Sequence, residues 1–213
     1  MKAIFHYYLS MDLSLLSSQI AEQDALEWTG LLTGILYVIL ASIQRPVCWV
    51  FGIISSFCLA WKSFEDYKLM ADGILQVFYI IIGFYGLFQW LKGSVDHQPK
   101  PVVTSSFRFH LAAIFICLIV SMPASWLLIH YASARYGYLD TALTLLSILA
   151  TFLLVRKDLH NWVYWIVIDI VYVVLYLKSE GILFALLFLI YTLVAIWGYR
   201  QWNTDRKLAT NPQ

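Results

Sequence analysis

The sequence predicts an all-α integral membrane protein with seven transmembrane helices, arranged as two parallel three-helix repeats joined by a linker helix in a 3+1+3 layout. Three observations predict it. Of the 213 residues, 61% are hydrophobic and only 13% charged, with a mean hydropathy of +0.73, a composition that suits lipid rather than water. Seven apolar stretches approach the roughly 20 helical residues that cross a hydrocarbon core of about 30 Å. The chain also repeats itself: Tyr79, Gly86, Gln89 and Trp90 recur 112 positions later as Tyr191, Gly198, Gln201 and Trp202.

The expected spans run from about Trp28 to Gln44, Val47 to Trp61, Leu69 to Leu91, Phe109 to Tyr131, Leu139 to Val155, Trp162 to Leu177 and Ile182 to Gln201. The second is short, but Arg45-Pro46 before it and Lys62 to Asp66 after it are water-facing punctuation. An offset of 112 pairs the first span with the fifth and the third with the seventh, placing Gln44-Arg45-Pro46 on Arg156-Lys157-Asp158. A three-helix unit ends on the face opposite its start. The unpaired fourth span restores the orientation, so the repeats are parallel, an architecture of transporters that form a site between the halves near the bilayer midplane.

The resulting division is an N-terminal segment (1–26), a first repeat (27–92), a linker with the fourth span (93–137), a second repeat (138–202) and a tail (203–213). An interfacial helix around Leu13 to Leu26 suits the first segment better than a signal peptide, which lacks its n-region and cleavage site here. Both the linker from Gly93 to Ser106 and the tail are expected in solvent. An odd number of spans puts the termini on opposite faces. Nine Lys/Arg on the C-terminal face against five on the other place the C-terminus in the cytoplasm.

Several function classes are disfavoured at once. A net charge of +1 with no basic run leaves no footprint for nucleic acid. Cys48, Cys58 and Cys117 lie in separate apolar stretches without ligand spacing and read as small packing residues. The histidines, including His110, His130 and His160 near span ends, also lack metal-ligand spacing, so no metal or cofactor is expected. Without GxSxG, HExxH or a Walker-type loop, a hydrolase or nucleotide-driven pump lacks its parts. A lipid-modifying enzyme needs a cluster of carboxylates or His at one membrane face, and the acids here are scattered. A vitamin sensor would signal through an eleven-residue tail, a poor module for it.

The sixth span carries the sharpest site signal. Trp162, Trp165, Asp169, Tyr172 and Tyr176 follow three-four spacing, which puts two indoles, a carboxyl and two phenols on one stripe. An intramembrane carboxylate is costly and defaults to function, whereas aromatic stripes often only pack. The third span aligns Asp72, Gln76, Tyr79, Gly83, Gly86 and Trp90, and the seventh aligns Phe184, Phe188, Tyr191, Ala195, Gly198 and Trp202. Its small residues suit close helix approach, while Gln76 and Tyr79 need polar partners that a ligand can supply. Glu27 and Asp140 head the first and fifth spans, where capping is the simplest reading.

The segments Leu26-Glu27-Trp28-Thr29-Gly30, Gly73-Ile74-Leu75-Gln76-Val77-Phe78-Tyr79 with Tyr85-Gly86, Arg156-Lys157, and Asn161-Trp162-Val163-Tyr164-Trp165 resemble the nicotinamide riboside transporter (PnuC) family, which includes thiamine-transporting relatives. The resemblance covers about residues 26 to 202. It implies a 3+1+3 fold akin to the SWEET sugar transporters, a homotrimer in the bacterial inner membrane, and no enzymatic activity. It further implies vitamin uptake by facilitated diffusion, followed by trapping through a separate cytosolic kinase. Asn161, Trp162 and Trp165 match the family's sixth-helix motif, and Gln76 and Tyr79 its third-helix positions. Departures fall at Asp169 and near Ser55, where some members carry Asn. Both candidate vitamins contain a fixed aromatic cation. Indole faces hold such a ring by stacking and cation–π attraction, about 0.5 to 2 kcal/mol per contact. Gln76, Asn161 and Tyr79 are then expected to hydrogen-bond ribose hydroxyls or a pyrimidine edge, and Asp169 to balance the charge.

Overall fold

The computed structural model describes residues 13–65, 70–92, 100–131 and 137–210. A short helix α1 (13–22) precedes α2 (Ala25–Ser42), α3 (Cys48–Glu65), α4 (Met70–Lys92), α5 (Phe107–Tyr131), α6 (Tyr138–Val155), α7 (Asn161–Lys178) and α8 (Ile182–Thr210). Six of these, α2 and α4 through α8, are long and apolar enough to cross a membrane. Helix α3 falls short in composition because Ser55, Ser56, Lys62 and Ser63 dilute it, and all four are buried. Its polarity faces the bundle, where it packs between α2 and α4.

Each local sequence explains its helix end. Asp24 caps α2 by accepting the Leu26 and Glu27 backbone N–H groups at 2.9 Å, while Glu27 Oε2 accepts the Asp24 N–H at 2.8 Å. This reciprocal capping box stabilises by about 1 kcal/mol. Lys62 at the far end of α3 reaches back to Asp24 at 2.9 Å and Glu27 at 3.6 Å. The expectation that Glu27 caps is met. Asp140 differs: the N-cap of α6 is Gly137, which has no side chain to complete a box, and Asp140 instead lines an internal cavity.

The repeat relation is visible in the turns, with a corrected register. Gln44 and Lys157 both adopt φ of 56°. Gln44 N–H donates to Ala41 O as Lys157 N–H does to Leu154 O, and Arg45 N–H to Leu40 O as Asp158 N–H does to Leu153 O. These pairs differ by 113 residues, so Gln44 falls on Lys157 rather than on Arg156. The offset of 112 belongs to α4 and α8 alone.

The two halves interlock through four indoles. Trp49 and Trp90 meet edge to face with centroids 5.6 Å apart, Trp162 and Trp202 do the same at 5.5 Å, and Trp90 lies 6.0 Å from Trp202. Trp90 Nε1 donates to Val155 O of the other half, and Trp202 Nε1 to Ala41 O, both at 3.2 Å. Helices α2, α4, α6 and α8 therefore run toward this cluster, and α3 and α7 begin at it. The exchange matches the packing of α4 on α6 and α2 on α8.

Helix α5 packs mainly on α6 and exposes Phe107, Leu111, Phe115, Ile116 and Met122. It continues through Pro123, as spans in lipid often do. Helix α1 docks through Gln19, whose amide bonds Glu180 O at 2.6 Å and Leu183 N–H at 2.9 Å.

Two segments expected in solvent are more structured. Residues through Thr210 continue α8, and Asp205 accepts from Gln44 Nε2 at 2.7 Å. Of the linker, Val103 pairs with the α6–α7 turn, donating to Lys157 O and accepting from Leu159 N–H. The turn has unpaired backbone groups because Lys157 leaves the helix, and Val103 satisfies them. His6, His97, Lys2, Lys68 and Arg135 lie outside the described residues.

Candidate functional site

Between the repeats lies a cavity of about 410 Å³, within the range that holds a small organic ligand. Six helices line it, α2, α3, α4, α6, α7 and α8, and α5 contributes nothing among the described residues. The entire α7 stripe faces it: Trp162, Trp165, Asp169, Tyr172 and Tyr176. From α4 come Asp72, Gln76, Tyr79 and Gly83, and from α3 come Trp49, Gly52, Ser55 and Ser56. Ser55 is partly committed, since its Oγ donates to Gly30 O at 2.7 Å.

Of the candidate substrate-binding residues Asn161, Trp162, Trp165, Asp169, Tyr172, Gln76, Tyr79 and Ser55, Asn161 alone does not line the cavity. It is fully buried at the start of α7, where its Nδ2 donates to Asp158 O at 2.6 Å. That bond ties Nδ2 to the α6–α7 turn, while Oδ1 is buried without a hydrogen-bond partner. Trp162, Trp165, Asp169, Gln76, Tyr79, Tyr172 and Ser55 all reach the cavity wall.

Each wall has a distinct chemistry. At the four-indole end, Trp49 and Trp162 line the cavity, and the Nε1 of each is buried without a hydrogen-bond partner. At the other end Tyr172 stacks on Phe188 at 4.8 Å and Tyr176 stacks on both Phe188 and Phe184 at 5.5 and 5.4 Å. Tyr172 also donates a long 3.4 Å bond to Asp140. Asp169 is 2% exposed and faces the interior with no ion-pair partner among the described residues. Three carboxyls, Asp72, Asp140 and Asp169, share this wall, and no Lys, Arg or His among the described residues does.

The repeats contribute unequally. In the 113 register Trp49 corresponds to Trp162, but Trp165 corresponds to Gly52 and Asp169 to Ser56. At these positions α7 supplies a ring and a carboxyl where α3 has a glycine and a serine, and the first repeat brings its own carboxyl and rings on α4 and α3 through Asp72, Tyr79 and Trp49. Sequence reasoning missed Trp49, Ser56 and Asp140. The signal for Trp49 was its match to Trp162, hidden by an offset one residue too short.

Glycines hold the walls in place. A Cβ at Gly198 would lie 2.8 Å from the Trp162 ring and one at Gly86 would lie 2.5 Å from the Trp49 ring. Gly198→Ala must move a fully buried indole, so a loss of about 1 to 2 kcal/mol is expected, read as a lower melting temperature.

Below the indoles, Lys157 is 2% exposed, donates to Gln44 Oε1 at 3.0 Å and sits 4.7 Å over the Trp90 ring. Burial pushes its ammonium down to about 8. The folded chain then releases this proton before the unfolded chain does, so stability rises as pH climbs from about 8 toward the ordinary lysine value of 10.5. Wild-type melting temperature is expected to rise across that window relative to Lys157→Met.

Comparison with known proteins places this geometry. A family model described as nicotinamide mononucleotide transporter matches residues 24–204, nearly the whole helical bundle. The chain belongs to that family. Within the nicotinamide mononucleotide transporter family, it is similar to proteins named nicotinamide riboside transporter PnuC. The one from Escherichia coli strain K12 is 24% identical over 208 residues, spanning 85% of this chain and 87% of the relative. That from Neisseria mucosa is 23% identical over 186 residues, spanning 80% and 69%. A crystal structure of the Vitamin B3 transporter PnuC shares the fold, with a TM-score of 0.71 at 22% identity over 95% of this chain and 92% of that one. The family is one of transporters, and this member is a multi-pass membrane protein.

Proposed function

We propose that this chain takes up nicotinamide riboside by facilitated diffusion across the bacterial cytoplasmic membrane. The observation that carries the reading is the lining of the cavity, with three carboxyls, many aromatic rings and no basic side chain among the described residues. A fixed aromatic cation fits such a wall, because rings hold it by stacking and cation–π contact while Asp169 supplies the opposite charge. A nucleoside 5′-phosphate brings a dianion that would meet like charge there without an Arg or Lys to bind it. The non-phosphorylated riboside is therefore favoured over the mononucleotide.

Trp162, Trp165 and Asp169 form the substrate face in this reading, with Gln76, Tyr79 and Tyr172 offering hydrogen bonds and Ser55 close by. Asn161 shapes the site by fixing the turn. All seven long helices cross the membrane in the 3+1+3 arrangement, with 27–92 and 138–202 as the parallel repeats and α3 carried across by its neighbours. The cytoplasmic C-terminus, a homotrimer and trapping by a separate cytosolic kinase complete the proposal.

The test is a titration of purified protein, read by quenching of its tryptophan fluorescence. Nicotinamide riboside is expected to bind at least about tenfold more tightly than the mononucleotide or thiamine. Equal affinity for the mononucleotide overturns the charge argument, and tighter thiamine binding reassigns the substrate. In liposomes, uptake is expected without ATP and faster with a negative interior, since one positive charge gains about 2.3 kcal/mol per 100 mV on entry. Strict dependence on ATP, or on a proton gradient at zero potential, contradicts this mechanism.

A further inference from the structure

Away from the cavity, the start of α5 meets the α6–α7 turn and brings together three groups distant in sequence. His110, Asp158 and His160 each offer one ligand atom, and these atoms all lie within 4.8 Å of one another. The imidazoles meet edge to face with centroids 4.6 Å apart, and His160 Nδ1 is 3.1 Å from Asp158 Oδ1. His110 Nδ1 lies 3.1 Å from Tyr164 Oη, while its Nε2 is buried without a hydrogen-bond partner. Asp158 is fully buried, and its Oδ2 accepts from the Ser105 N–H at 2.8 Å and from the Ser105 hydroxyl.

We propose that His110, Asp158 and His160 form a binding site for a divalent transition-metal ion of the zinc class, separate from the transport cavity. Two imidazole nitrogens and one carboxylate oxygen make the borderline donor set that zinc and cobalt favour over magnesium or calcium, and three protein ligands leave a fourth position for water. The supporting contacts are already in place. Tyr164 on Nδ1 leaves Nε2 of His110 as the metal-facing nitrogen, and Ser105 holds Oδ2 of Asp158 while the His160 backbone N–H, at 2.9 Å, orients Oδ1, whose remaining lone pair is the donor, as partners of metal ligands do. Contraction to metal-ligand distances of about 2.0 to 2.2 Å requires a small movement, for which the His160 side chain, 35% exposed, is the adjustable arm. A bound ion would fasten the linker helix and the Val103 strap to the turn that carries Lys157 and leads into Trp162.

The test uses the full chain, freed of any affinity tag and stripped with chelator, titrated with Co2+. One equivalent per chain is expected to give visible ligand-field bands that Zn2+ abolishes by displacement. His160→Ala and His110→Phe should eliminate the bands, and Tyr164→Phe should weaken Co2+ binding about tenfold. Zn2+ should raise the melting temperature of the wild type and leave that of His160→Ala unchanged. Because His160 is partly exposed, that variant is expected to fold and to keep nicotinamide riboside binding, which separates this proposal from the reading of the cavity. Absence of Co2+ bands in the wild type, or bands that survive in both His110→Phe and His160→Ala, overturns it.

Discussion

Trp165→Ala is expected to weaken nicotinamide riboside binding by about 1 to 3 kcal/mol, roughly 5- to 150-fold, while leaving the bundle folded. The two α7 indoles are not equivalent tests. Trp162 is 1% exposed, edge to face with Trp202, and backed by Gly198. Removing it would open a void beneath the cavity and disturb the contact between repeats. Trp165 is half-buried at the cavity wall, packs against the edges of both core clusters, and has Gly52 as its counterpart in the other repeat. Its face is the one a flat cation can reach without displacing a structural ring. Titration of the variant by calorimetry, alongside size-exclusion elution, separates lost affinity from lost fold. Trp165→Phe should recover part of the affinity, because a smaller ring retains stacking but offers a weaker cation–π surface. Unchanged affinity in Trp165→Ala would remove the ring from the substrate face.

What the sequence made legible followed from local periodicity. The α7 stripe needed only three-four spacing, and all five of its residues reach the cavity. The stripes on α4 and α8 divide along their length: Asp72, Gln76, Tyr79 and Gly83, with Phe188, Tyr191 and Ala195, line the cavity, while Gly86 and Gly198 let Trp49 and Trp162 pack against backbone and Trp90 and Trp202 join the indole cluster. Contacts between distant segments were not legible. Asp140 sits in the helix position that Glu27 occupies in the other repeat, and both look like capping residues. The difference is set three residues earlier, where Asp24 completes a box and Gly137 does not. Asn161 carried a motif match, but its Nδ2 is held by the turn that precedes α7 and its side chain does not line the cavity. His110 and His160 are 50 residues apart, so no spacing rule joins them; only the docking of α5 on α6 does. The tail read as solvent because it is polar, yet its helix continues and Asp205 reaches the turn at Gln44. Polar composition alone does not distinguish a free tail from a helix whose side chains bridge two turns.

Asp169→Asn is expected to weaken the cationic riboside by about 1.5 to 3 kcal/mol, the scale of an interaction made with a charged group, and to leave a neutral ligand of the same shape almost unaffected. The substitution keeps volume but exchanges one acceptor oxygen for an NH2 donor, so the comparison with a neutral ligand is what isolates charge. Asp169 is 2% exposed on the cavity wall, in surroundings that amplify both the cost of an unpaired carboxylate and its attraction for a cation. Its counterpart in the other repeat is Ser56, so the repeat symmetry does not require a carboxyl at this place. Packing does not explain it either, because a buried serine suffices on the opposite wall. On the proposed reading, the positively charged ligand explains it. Reduced nicotinamide riboside, which has nearly the same outline without the ring charge, is the matching neutral probe. Binding of both forms to wild type and Asp169→Asn completes a double-difference measurement. A loss confined to the cation makes Asp169 the counter-ion; equal losses make it a hydrogen-bonding group, and no loss for either takes it out of the site.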